Sequence, residues 1–115
     1  MSRICTLDEL LEKTGIHPTQ LHTSCTLEHL QDIAFFLASW QTVAPHLGLS
    51  TADMEEVKSN AVSEQRKRKK VLEKWKARFA FKATFRWLIK ALLEIGRADE
   101  AEKVCYLMQE PKQGT

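Results

Sequence analysis

Trp40-x2-Val43-Ala44-x2-Leu47-Gly48-Leu49-Ser50, Leu72-x2-Trp75, Ala83-Thr84-x3-Leu88-x2-Ala91-Leu92 and Gly96-Arg97-x-Asp99-x-Ala101-Glu102 follow one another between Trp40 and Val104, and their reading decides the fold. Each fixed residue in them is a packing residue or a helix punctuation mark. Trp40, Val43, Ala44 and Leu47 recur at i, i+3, i+4 and i+7, the spacing of one helix face. Gly48-Leu49-Ser50 joins a helix stop, an apolar contact and a helix start, and Ser50-x2-Asp53 has the form of a capping box. No position has the character of a nucleophile, a metal ligand or a phosphate loop.

The segments on either side extend the same pattern. Thr6-Leu7-Asp8-Glu9 is a second capping box and predicts a short helix over 7–13, closed by Gly15 and Pro18. After a polar loop over 15–25, Thr26 caps a helix over 27–38 whose inner face carries Leu27, Leu30, Ala34 and Leu37. A bend near Ser39 leads into Trp40–Leu47, where Pro45 removes a helical hydrogen bond and predicts a kink. Met54 and Val57 face inward from the next helix, and a short polar segment spans Ser59–Ser63. A long helix over 64–79 follows, with Val71, Leu72, Trp75 and Phe79 as its apolar stripe. Over 83–95 the strongly polar residues Arg86, Lys90 and Glu94 share one stripe and the rest is apolar, so this helix belongs in the middle of the domain. Gly96 ends it, and Ala101, Val104, Cys105 and Met108 mark a last helix over 98–108. Residues 109–115 read as a disordered tail. No strand pattern occurs, and the class is all-α.

The 115 residues suit one domain, which would bury roughly 65% of its unfolded surface. Hydrophobic residues at 43% and charged residues at 28% are those of a globular chain, which excludes fibrous and disordered classes. No apolar run approaches the ~18 residues of a membrane span. Met1–Leu10 lacks a basic region followed by an apolar core, and three scattered cysteines make no disulfide framework, so a cytoplasmic location is expected. Charge is divided along the chain. Residues 1–60 carry three Lys/Arg against eight Asp/Glu, a net of −5, and residues 61–115 carry fourteen against seven, a net of +7. A domain with two such regions can attract copies of itself or of near relatives.

The order and spacing of Trp40-x2-Val43-Ala44, Leu72-x2-Trp75 and Gly96-Arg97-x-Asp99 resemble the death domain over about residues 26–108. The resemblance implies an antiparallel six-helix bundle with a bent first helix, no catalysis, no cofactor, and binding between like domains in intracellular signalling of the apoptotic or innate-immune kind. Residues 1–25 lie outside the family pattern and form an extension with one additional short helix. Pro45 and the pair Phe35-Phe36 are not part of the signature either.

Candidate sites are therefore surfaces. Arg66, Lys67, Arg68, Lys69, Lys70, Lys74, Lys76 and Arg78 against Glu64 and Glu73 give a net of +6 within fifteen residues. This run suits a solvated helix face or a face for an acidic partner, whose encounter it would steer. A nucleic-acid or nuclear-import patch is the alternative; against it, no aromatic residue interleaves the exposed cations to stack bases. The acidic counterpart is Asp53, Glu55 and Glu56, with Glu28 and Asp32, read alone as charges that suit helix N-termini. The resemblance implies that Asp53, Glu55 and Glu56 meet Arg66, Lys69, Lys70 and Lys74 of another death domain. Such an asymmetric contact gives a closed ring or an open helical filament of copies. Arg97 and Asp99 read as capping charges, and the resemblance implies a second contact at their corner.

Phe35 points away from Leu30 and Leu37, so it is either a binding anchor or, as the apolar side of the first helix suggests, covered by Leu7, Leu10 and Leu11. His22-x2-Cys25-x3-His29 is the one cluster with metal-like spacing. Zinc would need Cys5 or His17 as a fourth ligand across a loop–helix junction, and no metal is expected. Gly-x-Ser-x-Gly, Walker and His-Glu-x2-His patterns are absent, and the chain is not expected to be an enzyme.

Overall fold

Side-chain caps set most of the helix starts in the computed structural model, which describes residues 6–60 and 63–109. The Thr6 hydroxyl accepts the Glu9 N–H while Glu9 reaches back to the Thr6 N–H, and α1 runs Leu7–Thr14. Thr26 opens α2, Leu27–Ala34, and Ser63 and Thr84 open α5, Glu64–Phe79, and α6, Phe85–Glu94. At Ser50 the capping is reciprocal: its N–H donates to Asp53 and its hydroxyl accepts the Asp53 N–H, starting α4, Thr51–Asn60. The last helix, α7, is Ala98–Gln109. Among the described residues there is no strand, only one antiparallel bridge between Ser24 and Thr84 that ties the loop before α2 to the start of α6.

One expected helix divides differently. The bent first helix is two elements, because α2 stops at Ala34, where the Phe35 and Phe36 N–H groups turn to i−3 carbonyls. The chain restarts as α3, Trp40–Val43, and passes at Pro45 into a 3₁₀ turn over Ala44–Leu47. Pro45 lacks the N–H that would continue the α-helix, so the tighter turn takes over. Of the short polar segment Ser59–Ser63, the first two residues belong to α4, which continues to Asn60, and residues 61–62 lie outside the described set. The tail reading falls there too from residue 110 on, whereas Gln109 belongs to α7.

Gly48 shows why the chain turns where it does. Its φ of 83° is left-handed, and a Cβ there would stand 2.8 Å from Phe79 Cζ. Glycine thus meets both a backbone requirement and a close approach of the α3–α4 turn to the aromatic end of α5. That approach lets Phe79, Trp87 and Trp75 pack edge to face, with ring centroids 4.6 and 5.6 Å apart.

The core runs through every α-helix, and α6 supplies Phe85, Leu88, Ile89, Ala91 and Leu92 to it. Its exposed stripe is Arg86, Lys90 and Glu94, as the sequence predicts. The N-terminal extension completes its cover. α1 packs on α7 and α6, and a 3₁₀ turn over Pro18–His22 packs on α6, burying Leu10, Leu11, Ile16 and Leu21. Lys13 pairs with Glu102 at 3.2 Å, and the Gln109 amide donates to the Thr14 carbonyl. Full burial of a leucine is worth about 1.5–3 kcal/mol, so α1 is part of the fold.

This placement corrects two expectations. The apolar side of α1 does not cover Phe35, which is 67% exposed; the demand for cover comes from α6, apolar on all but one stripe. Leu27, expected on the inner face, is 64% exposed because it sits in the first turn of α2, beyond the edge of the packed region.

Candidate interaction surface

α5 carries the basic run, and its cations fall into three groups according to what each faces. Arg68 leans toward the end of α2, where its Nη1 donates to the Phe35 carbonyl at 3.2 Å, a cation at a helix C-terminus. Lys76 turns to the opposite end and donates to Ser24 Oγ at 2.6 Å and to the Ala80 carbonyl at 3.3 Å. Ala80, whose carbonyl takes that second bond, stands at a positive φ of 51° at the exit from α5.

Lys74 and Arg78 face α4 and are used inside the molecule. Arg78 grips Asp53 with two nitrogens, at 2.6 and 2.8 Å, and Lys74 lies 2.5 Å from Glu56 and 3.9 Å from Asp53. Asp53 is 7% exposed and also accepts both bonds from Ser50. This corrects the expectation that Asp53 and Lys74 present charge to another molecule. Asp53 is the partner of Ser50 in the cap of α4 and the anchor of α4 on α5, and Lys74 is engaged by the same helix. The i+4 spacing of Lys74 and Arg78 places both beside Asp53, but the sequence alone does not say which helix lies next to them.

The rest of the run is available. Arg66 and Lys70 are exposed and make no ion pair among the described residues, and Lys69 has only a marginal one with Glu73 at 4.0 Å. With Asn60 these residues line a shallow open pocket of about 350 Å³ at the α4–α5 seam. On the acidic side, Glu55 is exposed and makes no ion pair among the described residues, and Glu56 keeps 56% of its side chain exposed despite Lys74. The charges left facing outward are thus Arg66, Lys69 and Lys70 on one helix and Glu55 with Glu56 on its neighbour.

The grip of Arg78, followed by the Ser50 N–H, holds the Asp53 carboxyl well below the usual carboxylate range. A depressed folded-state pKa stabilises the fold above the unfolded value, and that stabilisation is lost as pH falls toward the folded value. The acid limb of unfolding, between about pH 5 and pH 2, should therefore carry a contribution from Asp53. Asp53→Asn is expected to lower the melting temperature at neutral pH by about 5 °C and to flatten that limb. Melting curves across the acid range read both effects, and a variant whose acid limb matches the parent would refute the assignment.

At the α6–α7 corner Arg97 serves two carboxylates. It bonds Asp99 through Nε and Nη2 at 3.2 and 3.1 Å, and Nη2 lies 2.8 Å from Glu100 Oε2. Glu100 is 1% exposed and takes a 2.6 Å bond from the Ser39 hydroxyl. The sequence reading missed Glu100, because a glutamate in a first helical turn looks like an ordinary dipole partner. Asp99 is the outward-facing member of the corner, with 62% of its side chain exposed.

Other sequence candidates have structural duties. His29 Nδ1 lies 2.9 Å from the Thr26 hydroxyl at the start of α2, and its ring meets Phe85 edge to face. Burial pushes the Cys25 thiol up to about 12, so it is protonated at neutral pH. Among the described residues no three His, Cys, Asp or Glu side chains are placed to hold a metal ion, and Cys5 lies outside that set. No helix among them is long and apolar enough to cross a membrane.

The family model described as Death domain matches residues 25–108. No curated protein and no solved structure matches the chain.

Proposed function

The chain belongs to the death-domain family, an interaction module rather than an enzyme, and on that premise we propose that it binds copies of itself and other death domains through opposed charged faces of α4 and α5. The observation that carries this reading is the division of the α5 cations. Lys74 and Arg78 are neutralised by α4, whereas Arg66, Lys69 and Lys70 remain presented around an open pocket. Leaving such charges outward does little for the stability of one molecule. It does raise the encounter rate with an acidic surface and penalise a basic one.

Glu55 and Glu56 supply that acidic surface on a second copy, and the outward edge of the Arg97–Asp99 corner supplies a second contact. Different patches meeting in this way build a ring or filament in which weak contacts add. The setting that fits such assembly is an adaptor, or the recruiting part of a signalling protein, in the cytoplasm.

Charge reversal at Glu55→Lys and Glu56→Lys is expected to weaken self-association by about tenfold or more, because each new contact is then between like charges. The matching reversal, Lys69→Glu with Lys70→Glu, should restore it. Sedimentation velocity on the separate and mixed variants, at low and high salt, provides the readout. Unchanged association in the reversed variants would remove this interface.

A further inference from the structure

A second basic surface lies along α6 and the 3₁₀ turn Ala80–Lys82 before it, away from the α4–α5 seam. Lys82, Arg86 and Lys90 are spaced four residues apart, and all three are exposed. None has an ion pair among the described residues. They line an open groove of about 370 Å³ together with Trp87, His46 and Glu94. The groove is a built feature: Trp87 Nε1 donates to the His46 carbonyl at 2.8 Å, and His46 Nδ1 lies 3.2 Å from Glu94.

A row of carboxylates with the same period stands on α1. Asp8 and Glu12 are four residues apart, Glu9 lies beside them, and all three are exposed. Glu9 caps the Thr6 N–H, and Asp8 and Glu12 form no ion pair among the described residues. Four residues of helix rise about 6 Å, so two helices laid side by side bring a carboxylate to a cation at each step of that period. α1 is held rigidly by its own buried leucines, so its acidic row is preorganised for a partner.

We infer that the acidic face of α1 docks in the α6 groove of a second copy of this chain, with Asp8 and Glu12 against Arg86 and Lys90. Within one molecule the two rows form no ion pair among the described residues, although α1 packs on α6. The contact rests on the self-association proposed above but uses neither α4 nor α5. It gives the N-terminal extension, which lies outside the residues matched by the family, a role in selecting copies of its own chain over other death domains. A partner without an acidic helix at this place would leave the three cations unpaired.

Glu12→Lys with Asp8→Lys is expected to weaken self-association about tenfold, and Arg86→Glu with Lys90→Glu to do the same. Mixing or combining the two pairs should restore it, as read by sedimentation velocity. All four positions are exposed, and circular dichroism melting checks that each variant keeps the fold. Glu12→Lys alone, within the helix body, serves if the double change at α1 loosens it. Separate reversals without effect would overturn the inference, as would losses that the combination does not recover. A parent chain that stays monomeric at every accessible concentration would also overturn it, yet would leave recognition of a different death domain standing. Loss on reversal at Glu55 and Glu56 with none at Asp8 and Glu12 would keep the α4–α5 contact and discard this one.

Discussion

Trp75→Ala is expected to cost about 4 kcal/mol of folding stability, and Trp75→Phe only about 1 kcal/mol. Trp75 is fully buried and meets Trp87 edge to face at 5.6 Å, and Trp87 in turn meets Phe79 at 4.6 Å. Removing the indole empties the buried end of this aromatic chain, beside Trp87. The gap closes poorly, because Trp87 is itself held by Phe79 and by its bond to the His46 carbonyl at 2.8 Å. Against a total stability of about 5–15 kcal/mol for a domain, the alanine change is severe. Phenylalanine loses less volume and also removes a liability. Among the described residues the buried Trp75 Nε1–H has no hydrogen-bond partner, and an unsatisfied buried donor costs about 1–3 kcal/mol. Urea unfolding followed by far-UV circular dichroism gives both values. A phenylalanine variant as unstable as the alanine one would show that the indole N–H is satisfied and that its contact matters.

Glu100→Ala is expected to cost about 3 kcal/mol, and Asp99→Asn less than about 0.5 kcal/mol, although the two acids share one arginine. Glu100 is 1% exposed, and its oxygens face Ser39 Oγ at 2.6 Å and Arg97 Nη2 at 2.8 Å. It therefore ties the start of α7 to the bend before α3, an attachment between residues distant in the chain. Removing it leaves the Ser39 hydroxyl without that partner in a half-buried position and a hole where the carboxylate packed. Half of Arg97 remains hydrated, which keeps the loss below that of a fully buried pair. The Asp99 pair is exposed and local, two residues apart, so solvent takes its place at little cost. Denaturant titration of the two variants distinguishes them. Equal losses would mean that the corner acts as one surface pair and that Glu100 anchors nothing.

The helices were legible where local chemistry is strong. Thr6, Thr26 and Ser50 cap as their side chains dictate, Gly15 and Gly48 stop their helices in the left-handed conformation, and Pro45 forces a turn from α into 3₁₀ geometry. The apolar periods of α5, α6 and α7 found their buried faces, because a period of 3.6 residues is visible without knowing the neighbour. The interaction surface was legible only in part. Its α5 cations were plain in sequence, but whether a charge is spent inside or offered outside depends on the adjoining helix. Asp53 and Lys74 fell on the inside, Glu55, Lys69 and Lys70 on the outside, and no local pattern separates the two groups. Glu100 was hidden for the same reason: its partner Ser39 lies sixty-one residues away.

By itself the sequence determined that this is an all-helical domain, where most of its helices begin, and that α6 must lie at its centre, since these follow from side-chain capping and from the apolar face each segment carries. Tertiary structure alone decided that α1 covers α6 and α7 and leaves Phe35 in solvent, and that α4 consumes Lys74 and Arg78 while Arg66, Lys69 and Lys70 are turned away from it. The physical reason is range. Capping and periodicity act within a turn or two of helix, whereas burial and ion pairing depend on which surfaces meet, and that is settled only when the whole chain has packed.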